Sequence, residues 1–158
     1  DAKLADKFWN QSSYHYTAPV SGILAIHEAL RLICTETLPS RFARHQRCSS
    51  ALQNGIEAMG LSLHVAPESR LNSVVGINVP QSIDPKTLLA DMSNRYRVEI
   101  SGSFGPNIVR IGQMGEQCRA HNLFRTLHAL GSSLQALDAE VDIPAGMAAL
   151  EAKLTQQV

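Results

Sequence analysis

The chain has 158 residues, the length of one ordinary domain, and its 44% hydrophobic and 18% charged content is that of a globular protein. Collagen-like, mucin-like and extensively disordered classes are thereby excluded. Lys+Arg and Asp+Glu both count 14, so charge favours neither nucleic acid nor an anionic membrane as partner.

No apolar run approaches the roughly 20 residues of a membrane span. The start, Asp1 to Lys7, is charged throughout and lacks the apolar core of a signal peptide. With no initiator Met, a processed form or a fragment is expected. A polar, aromatic stretch from Phe8 to Thr17 leads into Ala18-Pro19, so residues 1–18 are expected to be an extended segment.

From Val20 to Thr37 the apolar residues Ile23, Leu24, Ile26, Leu30, Leu32, Ile33 and Cys34 lie on most faces, which predicts a long, largely buried helix. Pro19 suits its first turn, and Thr17 is a candidate cap. A second helix is predicted from Pro39 to Gly60, with Phe42, Leu52, Ile56 and Met59 on one face and Gly60 as its stop.

The period then changes to two. Leu61, Leu63 and Val65 predict one half-buried strand, and Val75, Ile77 and Val79 a second. Asp84-Pro85 opens a helix that turns Leu88, Leu89 and Met92 inward. Val98 to Gly102 and Ile108 to Gly112 predict two further strands, joined as a hairpin by a Gly105-Pro106 turn. Leu123, Leu127, Leu130, Leu134 and Leu137 repeat at helical spacing, and a tail helix is expected from about Pro144 to Thr155.

The fold class expected is α+β: a mostly antiparallel four-stranded sheet with helices on one face, preceded by the long apolar helix. Two helices over 19–60 lead into an α+β domain over 61–137, and 138–158 forms a tail.

Three places can carry chemistry. Tyr14-His15-Tyr16-Thr17 precedes an apolar helix, whose N-terminus offers N–H groups and partial positive charge to a phosphate or carboxylate. The same residues equally make an ordinary cap with aromatics packed on the core. Arg110, inside Ile108-Val109-Arg110-Ile111-Gly112, either pairs its planar fork with a carboxylate or lays its stem on the sheet with its head in water. Arg41, Arg44 and Arg47, three apart, read as a solvated helix face.

The odd set Cys34, Cys48 and Cys118 suits neither a disulfide framework nor a zinc site, so buried or inert thiols in a reducing cytosol are expected. The six histidines lack metal-ligand spacing, and no metal site is expected. Asp91 and Glu99 form no evident carboxylate pair.

Four stretches in register carry a resemblance: Tyr-His-Tyr-Thr-Ala-Pro before the apolar helix, Ala-Met-Gly-Leu ending the next, Val-Glu-Ile-Ser-Gly-Ser-Phe-Gly-Pro, and Arg-Ile-Gly-Gln-Met-Gly. Together, over about Phe8 to Leu137, they resemble the C-terminal part of class V pyridoxal-phosphate aminotransferases. The nearest branch is the alanine–glyoxylate, serine–pyruvate and ureidoglycine–glyoxylate group.

The resemblance implies the small domain of a type I fold, a large domain of the same enzyme, and a cytoplasmic homodimer acting on a small amino acid and an oxo acid. It implies pyridoxal phosphate as cofactor. Tyr14 and Thr17 match the pair that reaches the cofactor phosphate of the other subunit, and Arg110 matches the arginine that binds the substrate carboxylate. The Schiff-base lysine and the large domain have no counterpart here, because Lys3, Lys7, Lys86 and Lys153 lie outside any matching motif. No catalytic residue is therefore expected in this chain, and alone it is expected to be inactive. Tyr16 stands where the family more often has His, and the segment from Pro106 to Arg110 is shorter than the family's hairpin. The alternative is a stand-alone, non-catalytic α+β binding or interaction module.

Overall fold

The computed structural model describes residues 1–14 and 17–156; His15 and Tyr16 of the aromatic motif, and the last two residues of the Gln-Gln-Val tail, lie outside the described residues. The chain divides into two compact units, Asp1–Leu38 and Pro39–Val158.

The first unit holds two helices. α1 (Ala2–Asn10) falls in the segment expected to be extended, and Asp1 caps it by accepting a hydrogen bond from the Lys3 N–H at 2.8 Å. Leu4 and Phe8, four residues apart, give α1 an apolar stripe that the surrounding charges obscure in the sequence. α2 (Val20–Glu36) forms where predicted, but its expected burial is corrected. None of its residues is buried, and Val20, Leu24 and Ile26 are 60%, 62% and 63% exposed. The unit contains one other helix, too little surface to cover a helix that is apolar around most of its circumference. The cap is also corrected: Pro19 occupies that position and no side chain caps the helix. The Thr17 hydroxyl is instead paired with that of Tyr14.

The second unit starts with α3 (Leu38–Ala58). Its Cys48, Ala51, Leu52 and Ile56 are buried, whereas Phe42, expected on that face, is 65% exposed. Gly60 ends the turn that follows with φ +93°, a conformation that L side chains rarely adopt. β1 (Val74–Asn78) leads to α4 (Pro85–Tyr96), where the Asp84 carboxylate accepts from the Thr87 N–H and hydroxyl at 3.1 Å each. β2 (Ile108–Gly112) pairs antiparallel with β1 in the register Gly76↔Arg110. α5 (Ala120–Ala136) and α6 (Ile143–Thr155) complete the chain.

The architecture is α+β with helices outweighing sheet. The four expected strands are corrected to two, flanked by single bridges at Leu63↔Ile77 and Ser101↔Arg110. Each flanking segment stops pairing for a local reason. After His64 donates to Gly76 O, the chain turns into a short 3-10 helix at Pro67–Ser69, and proline has no N–H to extend a ladder. On the other edge, Ser101 and Arg110 exchange backbone hydrogen bonds, and beyond Gly102, whose carbonyl accepts from the Arg110 Nε–H, the chain leaves β2 for the turn at Gly105. Antiparallel pairing of the Gly105-Pro106 hairpin thus survives as one bridge.

One sheet face supplies Val75, Ile77, Val109 and Ile111 to a core shared with Leu88 and Met92 of α4, Leu123, Leu127, Leu130 and Leu134 of α5, and Leu150 of α6. α3 and α6 approach backbone to backbone: a Cβ on Gly146 would lie 2.8 Å from Gly55 O and 2.9 Å from Met59 Cε. The tail helix is therefore part of this core.

Candidate functional site

Arg110 owes its position to strand alternation. Val109 and Ile111 point into the core, so Arg110 points to the opposite, exposed face. Its cross-strand neighbour is Gly76, which has no side chain to crowd the guanidinium. The Nε–H donates to Gly102 O at 2.9 Å, which holds the plane of the fork. Among the described residues no hydrogen-bond partner occupies its terminal nitrogens. Of the two sequence readings, the structure shows a stem on the sheet and a head in the open.

Two clefts meet at this head. One, of about 280 Å³, lies beside Ser101, Met114, Asn122 and Thr126. The other, of about 460 Å³, is bordered by Lys86, Leu89, Phe104 and Asn107. Phe104, 99% exposed at the tip of the turn, and Lys86 were not singled out by sequence reasoning. The Gly-Ser-Phe-Gly-Pro stretch was the available signal. In the larger cleft Asp84 also faces the space. Burial raises its carboxyl pKa, but the Thr87 hydroxyl and N–H, with Lys86 nearby, hold it below the ordinary value.

Tyr14 and Thr17 belong to the first unit, and the structure brings them together, hydroxyl to hydroxyl at 2.9 Å. Both are exposed, immediately before a helix whose N-terminus has no side-chain cap. Two hydroxyls beside a helix N-terminus are a donor set suited to a phosphate oxygen.

The arginine triplet is corrected at its middle member. Arg44 is 8% exposed, and its Nη1 donates to Gly115 O at 3.0 Å and Cys118 O at 2.6 Å. It satisfies carbonyls of the loop before α5, a role that three-residue spacing cannot reveal. Cys34 is exposed, whereas Cys48 and Cys118 are buried. Asp91 pairs with Arg95 at 3.3 Å, and no cluster suited to a metal ion occurs among the described residues. No described helix is long and apolar enough to cross a membrane.

No family model matches the chain. It is 35% identical over 144 residues to the alanine–glyoxylate aminotransferase of Drosophila melanogaster, a match covering 86% of this chain and 36% of that protein. It is 32% identical over 146 residues to the (S)-ureidoglycine–glyoxylate transaminase of Bacillus subtilis, covering 90% and 35% respectively. The crystal structure of the ureidoglycine–glyoxylate aminotransferase from Bacillus subtilis superposes with a TM-score of 0.89 at 30% identity, over 98% of this chain and 41% of that one. Pyridoxamine–pyruvate aminotransferase from Mesorhizobium loti superposes at 0.84 with 27% identity, over 94% and 39%. The chain thus spans about a third of the length of these curated relatives. Sequence and structure match the same proteins, and the chain is similar to the C-terminal part of aminotransferases of the alanine–glyoxylate and ureidoglycine–glyoxylate group.

Proposed function

We propose that this chain serves an aminotransferase that moves an amino group between a small amino acid, of alanine, serine or ureidoglycine type, and an oxo acid such as glyoxylate or pyruvate. The observation that carries this is Arg110, on the open face of the sheet with its Nε fixed by Gly102 O. A fork held at one nitrogen keeps its remaining N–H groups available for a carboxylate, which amino acid and oxo acid share. The names of the relatives supply the substrate class.

Pyridoxal phosphate, when bound, supplies the electron sink for amino transfer. Tyr14 and Thr17 fit its phosphate, and in this reading they reach the cofactor of the partner subunit. Arg110 binds and orients the substrate carboxylate, and proton transfer falls to a lysine of the large domain. The lysines of this chain do not suit that role, because Lys3, Lys7 and Lys86 stand exposed to solvent and the half-buried Lys153 donates to Gln156 Oε1 at 3.2 Å in the last turn of α6. Incubated with pyridoxal phosphate, the chain by itself is expected to show no imine absorbance after dialysis and no turnover. A stoichiometric band with turnover would place the missing lysine here and overturn the reading.

The partners in this reading are the large domain and a second subunit, in the cytoplasm; the cofactor-phosphate segment and α2 come first, and α3 and the tail helix belong to the small domain, whose core they share. The exposed apolar surface of α2 is what such partners would cover. In sedimentation at high concentration the chain is expected to self-associate and to bind a dye specific for apolar surface. A clean monomer without dye binding counts against a partner-covered α2.

A further inference from the structure

The loop between β2 and α5 is fastened to α3 on one side and borders the Arg110 cleft on the other. Arg110 and Gly112 lie on the same exposed face of β2. A Cβ on Gly112 would stand 3.6 Å from Met114 Cε, so the Met114 side chain folds back over that face. Met114 and Gln117 line the cleft of about 280 Å³ together with Arg110.

On the other side, Arg44, His45 and Ser49 of α3 hold the loop. Arg44 donates to the carbonyls of Gly115 and Cys118, and the fully buried Gln113 donates to Ser49 Oγ at 3.4 Å. The half-buried His45 places Nδ1 2.8 Å from Arg41 O, and its Nε2 accepts from the Gly115 N–H at 3.2 Å. A carbonyl only accepts and a backbone N–H only donates. Nδ1 therefore carries the ring hydrogen, and Nε2 presents a lone pair. Gly115 itself has φ +60°, and a Cβ there would lie 3.4 Å from Arg41 Nη2, so the loop passes close to α3.

We propose that His45 is a positioning residue for carboxylate binding: as a neutral acceptor for the Gly115 N–H, it sets the loop whose Met114 and Gln117 wall the cleft at Arg110. The inference rests on Arg110 as the carboxylate site. Arg44 satisfies loop carbonyls and His45 a loop N–H, so one helix answers both kinds of backbone group in a tight turn. A lysine or arginine in place of His45 would set donor against donor. Without an acceptor at this point the Gly115 N–H must turn toward water, and Met114 and Gln117 move with it. The Arg110 fork is held at Nε by Gly102 O, so a displaced wall opens its remaining N–H groups to competing water.

The test uses the full chain with His45→Gln and His45→Leu. Glutamine keeps an acceptor oxygen within reach of the Gly115 N–H, whereas leucine keeps bulk and loses the acceptor. In the unsubstituted chain, the ¹⁵N shifts of the His45 ring should show Nδ1 protonated and Nε2 bare, a measurement that needs no variant. Amide exchange at Gly115 should be alike in the unsubstituted chain and His45→Gln, and roughly 2- to 10-fold faster in His45→Leu, the worth of one hydrogen bond. The amides of Leu127 and Leu130 in α5 should stay protected in all three, which separates loop release from unfolding. Acetate is then exchanged for chloride at constant ionic strength and followed at the Arg110 Nε–H signal. It should bind the unsubstituted chain and His45→Gln alike, and His45→Leu about 2- to 10-fold more weakly. The opposite ring tautomer, or unchanged Gly115 exchange in His45→Leu, overturns the proposal. So does equal acetate affinity in all three chains, which leaves Arg110 in its role. No response to acetate in the unsubstituted chain removes Arg110 as the carboxylate site, and this proposal with it.

Discussion

In the complete enzyme, Arg110→Lys is expected to lower catalytic efficiency for alanine and glyoxylate alike, while the dissociation constant for pyridoxal phosphate stays nearly unchanged. Lysine keeps the positive charge but loses the planar fork, and it has no Nε–H to donate to Gly102 O. What the substitution loses is a fork hydrogen bond to the carboxylate, and a hydrogen bond to a charged group contributes about 1.5–3 kcal/mol, or roughly 10- to 150-fold. Both substrates carry the same carboxylate, so both should suffer. The proposed phosphate contacts belong to Tyr14 and Thr17, so cofactor affinity should not. Kinetics on both substrates beside a cofactor titration separates these effects. Unchanged efficiency with a fall in folding stability would make Arg110 a structural residue and remove it from the site.

Leu127→Ala is expected to cost about 2–5 kcal/mol of stability, the range for truncating a buried leucine whose surroundings relax only partly. Leu127 is fully buried on α5, and its Cδ2 lies only 2.7 Å from where a Cβ on Gly55 of α3 would stand. The backbones on the far side, Gly55 against Gly146, are already in contact and have little freedom to collapse into the space. For a chain of this size that loss corresponds to a melting temperature roughly 5–15 °C lower. Phe104→Ala is the control. Phe104 is 99% exposed, and its loss should stay within about 0.5 kcal/mol. Denaturant unfolding of both variants compares them directly, and equal costs would mean that the three-helix core is misplaced.

The elements legible in the sequence are those whose side chains repeat along their own axis. The leucines of α5 and the Asp84-Pro85 start of α4 are local signals, written within a few residues, and both elements form where expected. The same holds for β2: alternation alone puts Arg110 on the face opposite Val109 and Ile111. The four short motifs that carry the family resemblance are equally local, and one of them begins at Arg110 itself.

Other features depend on partners distant in the chain, and local pattern could not supply them. Two of the four expected strands shrink to single bridges because the chain turns into a 3-10 helix at Pro67–Ser69 after one and into the turn at Gly105 after the other. Arg44 looks like a surface residue by spacing, yet it is buried because the carbonyls of Gly115 and Cys118, more than 70 positions away, need a donor. Phe42 shares a predicted face with Leu52 and stays exposed, because apolar character does not determine which neighbours arrive to cover it. The periodicity of this sequence determined the helices α2 to α6 and the side of β2 on which Arg110 lies, and four short motifs carry the family resemblance. Only the tertiary structure decided how far each strand pairs and which arginine is inside, since each depends on hydrogen bonds closed across the fold.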